Sequence, residues 1–577
     1  MDLLFIIVIA VAAIVLVTAL GQKLGVAGPL LLVALGIVVS LLPFVHMPEI
    51  DPEWILVGVL PPLLYSAAVN LPAIEFRRDF RPIAGLAVVL VVVSALVLGI
   101  FFWLVIPAVS LPLGIALGAI LSPTDAVATS IAKRQGIAPR VVTMLEGESL
   151  LNDATALVLL RTAIAAIAGG FSLWGAVGAF VWAVFIAVVL GTLIGLLIVQ
   201  VRAWVGNSAA NTAISFTAPF LAYLPTEQLG GSGLVAAVVA GIVTGQQAVR
   251  RLTPEQRMSE AMNWRTIELV LEGAVFLLMG LELRDIVTDN IHAHEGLWFP
   301  IWLALAALGI ILVVRTAYVS LLVWGQGRRA RRIDRARLEA FRARIETLSA
   351  QGPTKTREAR LLGGPKTWER RLGAMRTRVQ RSLRDLDYYQ STPMGWKHGT
   401  VIVWAGMRGV VTLAAAQTLT REDTDDHRAL LVFIAFLVAF ISLMLQGFTL
   451  PWLVRLLRFP PSAGGSADDE RERIDDALAQ AGREALADPA LMTRGGAPFP
   501  PDVIDRARAR LEMTPDDEST HAAQVLGELR LALIKAQRRR LVELSSDGQF
   551  SSATLKRALS ELDAEELSLT LRLGDGV

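Results

Sequence analysis

The chain contains no cysteine, which excludes disulfides and thiolate metal sites. Charge is scarce over most of its length: charged residues are sparse before residue 325 and dense only in 326–396 and 460–577. The six histidines are scattered, with His46, His292, His294 and His427 in outer loops or at helix ends, and they form no ligand set. The C-terminal stretch has no nucleotide-binding glycine loop and no metal-ligand spacing, so no cofactor and no nucleic-acid partner follows from it. Met1-Asp2 provides no basic n-region, so 3–20 reads as a first transmembrane helix rather than a signal peptide.

What the chain has instead is apolar surface. Its 577 residues are 54% hydrophobic, which points to an all-α polytopic membrane protein. Apolar runs of about 17–25 residues suit a helix crossing about 30 Å of hydrocarbon. Such runs fall near 3–20, 28–46, 53–71, 82–107, 111–133, 141–168, 173–201, 207–223, 232–247, 265–283, 298–325, 397–419 and 429–457, thirteen in all. The run at 207–223 is the most polar, with Asn207, Ser208, Asn211, Thr212 and Ser215.

The loops set the orientation. One alternating set holds Lys23, Arg77, Arg78, Arg81, Lys133, Arg134, Arg140, Arg202, Arg250, Arg251, Arg257, Arg265 and the arginine-dense 326–396 segment. The other holds only Arg284, Arg421 and Arg428 beside several acids. The positive-inside rule then places the N-terminus outside and the C-terminus in the cytoplasm of an inner or plasma membrane. An odd seventh span between two sets of six predicts inverted repeats, which bracket a midplane site built from interrupted helices. Two interruptions stand in matching positions, Ser122-Pro123-Thr124 in span 5 and Gly406-Met407-Arg408-Gly409 in span 12.

Acids lie where the bilayer makes them costly, at least about 2.5–3.5 kcal/mol each near its centre. Asp125 follows the break in span 5, and Asp153 sits near the middle of span 6. Ser149 and Asp153 are i and i+4 on one helical face, with Asn152 beside them. Glu148 points away from that face and needs another partner; Arg315, at matching depth on span 11, is the candidate. Arg408 either holds span 12 against its neighbours or serves the site, and Arg161 is expected to snorkel outward. Glu268 reaches toward water, while Glu272 is deeper and has no evident partner. A buried acid that titrates near neutral pH releases a proton and then binds a monovalent cation. Thr124 and Ser149 would supply neutral oxygens to a hard cation held at Asp153. Competition for one carboxylate couples the two fluxes.

Ser122-Pro123-Thr124-Asp125, Gly147-Glu148-Ser149-Leu150-Leu151-Asn152-Asp153 and Gly406-Met407-Arg408-Gly409-Val410-Val411 together resemble the monovalent cation/proton antiporters of the NhaP and NHE type, over 1–457. The resemblance implies thirteen helices, with spans 4–6 and 11–13 forming a core that contains crossed broken helices. It also implies a homodimer working by elevator-like movement. It makes the residue matched by Asp153 the carrier of cation and proton, places Thr124, Asp125, Ser149 and Asn152 at or around the ion, and pairs Glu148 with Arg315. An Asn-Asp pair rather than Asp-Asp is similar to the electroneutral branch. Leu271-Glu272-Gly273 departs from the family, where an asparagine-containing run is expected.

The resulting expectation is electroneutral exchange of Na+, or of Li+, for H+. Potassium or mixed-cation exchange is the alternative. A cation channel is the rival class, but it would need a filter motif or an acidic ring that the chain lacks. No enzyme chemistry is expected. The basic insertion 326–396 reads either as a solvated helical hairpin or, at 328–344, as a contact for anionic lipid headgroups. The segment 458–577 reads as a helical cytoplasmic domain behind the linker Pro460-Pro461-Ser462-Ala463-Gly464-Gly465.

Overall fold

The computed structural model describes residues 2–43, 51–107, 109–125, 127–167, 173–292, 297–332, 394–420, 427–459, 464–493, 496–510, 520–547 and 550–573, with scattered positions within 343–389 and Thr424. Among these, every regular element is a helix apart from an isolated bridge between Met492 and Pro498. The chain divides into two compact units. One comprises Met1–Val323 with Trp396–Phe459, and the other Trp324–Gly395 with Pro460–Val577.

The first unit opens with α1 (Asp2–Leu24), α2 (Gly28–Ser40) and α3 (Leu60–Asn70), the last continuing from a π-helical Trp54–Val59. Two short helices, α4 (Ala73–Arg78) and α5 (Phe80–Ala84), lead through π-helical Gly85–Leu90 into α6 (Val91–Val105). Then come α7 (Leu111–Leu121), α8 (Val127–Arg134), α9 (Pro139–Ile167), α10 (Leu173–Trp204), α11 (Ser208–Gln228) and α12 (Gly233–Arg251). They are followed by α13 (Pro254–Leu281), α14 (Leu283–His292), α15 (Trp298–Arg332), α16 (Trp396–Trp404), α17 (Val410–Gln417) and α18 (Arg428–Leu457).

Six helical stretches are long and apolar enough to cross a membrane: Phe80–Val105, Pro139–Ile167, Val177–Trp204, Gly233–Arg251, Trp298–Arg328 and Arg428–Leu457. Shorter apolar helices cover Phe5–Gly21, Gly28–Ser40, Trp54–Asn70 and Leu111–Leu121. Caps set several boundaries. The Ser110 hydroxyl accepts from Leu113 N–H to start α7, and Asn207 and Ser232 do the same for α11 and α12. A capping box between Thr253 and Gln256, with Pro254 in the first turn, starts α13 well before the apolar run expected at 265–283.

That extension corrects the reading of the loop charges. Arg202, counted from sequence among the loop cations, is fully buried and paired with Glu260 near the start of α13. Arg140 is likewise buried, its Nε and Nη2 donating to Asp79 at 2.9 and 2.8 Å. Both helices run a little past their apolar stretches, and the buried charges at those ends are paired within the protein.

Packing relies on small residues, as expected where lipid removes the hydrophobic drive for helices to associate. α2 and α13 cross at Gly36 and Gly280, and a Cβ on either would overlap backbone of the other helix. Tyr65, Ala187, Ala218, Ala222, Ala236, Ala240 and Trp264 join α3, α10, α11, α12 and α13 in one buried cluster.

The second unit contains α19 (Gly464–Leu486), α20 (Pro501–Arg510), α21 (Thr520–Asp547) and α22 (Ser552–Leu573). Leu486, Phe499, Val503, Ala507, Leu529 and Leu533 form its core. Arg538 ties α21 to Asp563 and Glu566 of α22. Residues 333–342 and 348–372, which hold most of the expected basic hairpin and lipid contact, lie outside the described residues, as do His46 and His294.

Candidate functional site

The spans with interruptions are each two helices. Ser122–Asp125 runs without helix between α7 and α8, and Ala405–Gly409 does so between α16 and α17. The two gaps meet: the Asp125 N–H donates to the Met407 carbonyl at 2.7 Å. A broken helix leaves carbonyls without their N–H partners four residues on, and inside a membrane protein these must be satisfied by neighbouring groups.

Two arginines do this. Arg315 of α15 donates from Nε and Nη2 to the Ile402 carbonyl, both at 3.0 Å. Its Nη1 and Nη2 also grip Glu148 at 2.5 and 2.9 Å, and both side chains are buried. Arg408, also buried, donates from Nε to Leu121 O at 3.0 Å, from Nη1 to Gly406 O and from Nη2 to Ser122 O at 3.5 Å. Its own N–H donates to Ser442 Oγ of α18 at 2.9 Å. Arg408 thus closes the carbonyl ends of both gaps, and Arg315 closes a carbonyl of α16.

α9 presents Ser149, Asn152 and Asp153 beside these gaps, all buried, with Asn152 at 0% exposure. Asn152 Nδ2 donates to Thr124 Oγ1 at 2.7 Å and to Thr124 O at 3.2 Å. The Thr124 hydroxyl in turn donates to Glu148 Oε1 at 3.2 Å. Sequence reasoning set Glu148 apart from the Asn152 face. The structure joins the two through Thr124, because a threonine from the gap between α7 and α8 spans the angle between them. Asn152 Oδ1 is buried without a hydrogen-bond partner among the described residues.

Asp153 lines a small, largely apolar pocket with Ala119, Ile120, Pro123, Ala156, Val411 and Ala415. Asp125 lies within electrostatic reach of it. Asp125 itself is half-buried, and its Oδ1 accepts the N–H of Val127, the first residue of α8, at 3.0 Å. The structure therefore gathers Thr124, Asp125, Glu148, Ser149, Asn152, Asp153, Arg315 and Arg408 into one region. Ser442 belongs with them and was not found from sequence, since it bears no charge and sits in no charged pattern; Gly409, read from sequence only as part of the break in span 12, belongs with them too.

Glu268 accepts from Ser66 of α3, and Glu272, one turn further along α13, is exposed and lies within electrostatic reach of Glu268 and Asp125. Arg161 does not merely reach outward; its Nη1 donates to Glu227 of α11 at 2.8 Å.

Buried carboxylates against paired helix interruptions, within apolar helices of membrane-crossing length, define a multi-pass α-helical membrane transporter. The transmembrane sodium/hydrogen exchanger family model matches residues 8–338, and the chain belongs to that family. An uncharacterized Na+/H+ exchanger of Mycobacterium tuberculosis is 26% identical over 590 residues, covering 98% of this chain and 96% of its own length. A sodium, potassium, lithium and rubidium/H+ antiporter of Bacillus subtilis is 33% identical over 269 residues, covering 45% of this chain and 40% of the relative. The solved sodium proton antiporter MjNhaP1 of Methanocaldococcus jannaschii shares the fold with a TM-score of 0.56 at 16% identity, covering 80% of this chain and all of that one. Cation/proton exchange across a membrane is the activity of this class.

Proposed function

We propose that the protein exchanges Na+ for H+ one for one, with both ions competing for Asp153. The observation that carries this is the buried Asp153 carboxylate, which faces the gap in span 5 and, among the described residues, receives no hydrogen bond. Neighbouring carboxylates, by contrast, are committed. Glu148 is held by Arg315 and Thr124, and Asp125 by the start of α8. An uncommitted acid in a dehydrated site holds either a proton or a cation, and in either form is closer to neutral than when bare.

In this reading Ser149 supplies an oxygen to the cation, and Thr124, Asn152 and Asp125 shape its surroundings. Glu148, Arg315 and Arg408 hold the broken helices in place. Access alternates by movement of the helices carrying the site, within a homodimer whose N-terminus lies outside and whose C-terminal unit is cytoplasmic. The 328–344 run meets anionic headgroups of the inner membrane. A second reading, potassium or mixed-cation exchange on the same carboxylate, draws support from the ions named for the Bacillus subtilis relative.

Reconstituted vesicles test it. A sodium pulse should drive proton movement without net current, and Asp153→Asn should abolish that movement at unchanged folded yield. Sodium-driven proton transport surviving in Asp153→Asn would overturn the proposal. Comparison of sodium, lithium and potassium pulses separates the two readings.

A further inference from the structure

Gly409 ends the gap in span 12, immediately before α17. Its φ of −128° lies in extended space open to any residue, so the backbone does not demand glycine there. Space does. A Cβ on Gly409 would overlap Oδ2 of Asp125 and crowd its Cγ and Cβ. The carboxylate cannot swing aside cheaply. Its Oδ1 accepts the Val127 N–H at 3.0 Å, and its backbone N–H is bound to Met407 O at 2.7 Å. Three consecutive residues of one gap thus hold the other: Met407 by its carbonyl, Arg408 by its guanidinium on Leu121 O and Ser122 O, and Gly409 by its missing side chain.

We propose that Gly409 is a positioning residue of the ion site, providing a seat for the Asp125 carboxylate that fixes the start of α8 and, through the adjoining residue, Thr124. Thr124 is the group through which this placement reaches the carrier helix, because its hydroxyl is shared by Asn152 and Glu148 of α9. In this role Asp125 acts by closing a helix start. The inference rests on the exchange reading above.

The test uses full-length Gly409→Ala, Asp125→Ser and the double variant, each assayed for thermal stability in detergent and for cation-driven proton movement in vesicles. Serine keeps an oxygen able to accept the Val127 N–H but vacates the space that alanine needs. Gly409→Ala should raise the half-saturating cation concentration about tenfold or more, since a displacement well under 1 Å at a ligand shell has effects of this order. Maximal rate should change less. Asp125→Ser alone gives the stability cost of emptying the seat, and the double variant should recover most of the thermal stability that Gly409→Ala loses.

Wild-type behaviour of Gly409→Ala would overturn the seat. So would a double variant no more stable than Gly409→Ala. Should Gly409→Ala fail to fold, folding of the double variant supports the seat and its failure refutes it. If the unmodified protein moves no protons with any cation, the exchange reading fails, and the stability series alone still decides the seat.

Discussion

Two buried carboxylate–guanidinium pairs in this protein look alike and differ in their surroundings. Glu148–Arg315 lies between α9 and α15, and Arg202–Glu260 lies between α10 and α13. Each is bidentate and shielded from solvent. The second is closed within continuous helices: Arg202 Nε donates to Asn211, Ser215 donates to Glu260 at 3.0 Å, and Trp264 donates to Ser215 at 2.6 Å. The first is open toward the site, with Arg315 also holding the freed Ile402 carbonyl and Glu148 also accepting from Thr124. The difference teaches that a buried ion pair is not by itself a mark of function. What distinguishes the Glu148 pair is that its spare bonds end on residues of the two interrupted spans.

The comparison can be broken experimentally. The largest effect is expected for Arg315→Met, which leaves Glu148 buried and unpaired at a cost of about 3–5 kcal/mol and also orphans the Ile402 carbonyl. Thermal unfolding in detergent should show the loss, and vesicles should show no exchange from whatever protein folds. Arg202→Met should destabilise by a similar amount, about 3–5 kcal/mol, for the same electrostatic reason. Yet exchange per folded molecule should persist, because no bond of that pair reaches a helix gap among the described residues. Equal loss of specific activity in both variants would erase the distinction drawn here. The smallest effect belongs to Arg161→Gln. Its pair with Glu227 is 61% exposed on the arginine side, and exposed pairs are worth about 0–1 kcal/mol, so unfolding temperature should barely move.

The same two pairs show how far the sequence could be read. Glu148 and Arg315 stand inside long apolar runs, where any charge is conspicuous and matching depths propose a partner. Arg202 and Glu260 lie beyond the ends of such runs and look like solvated charges. Only the early start of α13 brings Glu260 against α10. The interruptions at Ser122-Pro123-Thr124 and Gly406–Gly409 were legible because proline and glycine disturb helices through local chemistry. That Arg408 closes both of them was not, since its acceptors are backbone carbonyls that carry no sequence signature.

Apolar runs, misplaced acids and helix breakers are properties of short stretches, and these the sequence by itself determined: a helical membrane protein with carboxylates beside two interrupted spans, of the antiporter type. Which bonds those groups make depends on helices far apart in the chain. Tertiary structure alone decided that Thr124 links Asn152 to Glu148, that Arg202 is buried, and that the space beside Asp125 exists because Gly409 has no side chain. The physical reason is that hydropathy and backbone propensity act locally, whereas satisfying a buried polar atom requires a partner that only packing can bring within 3 Å or so.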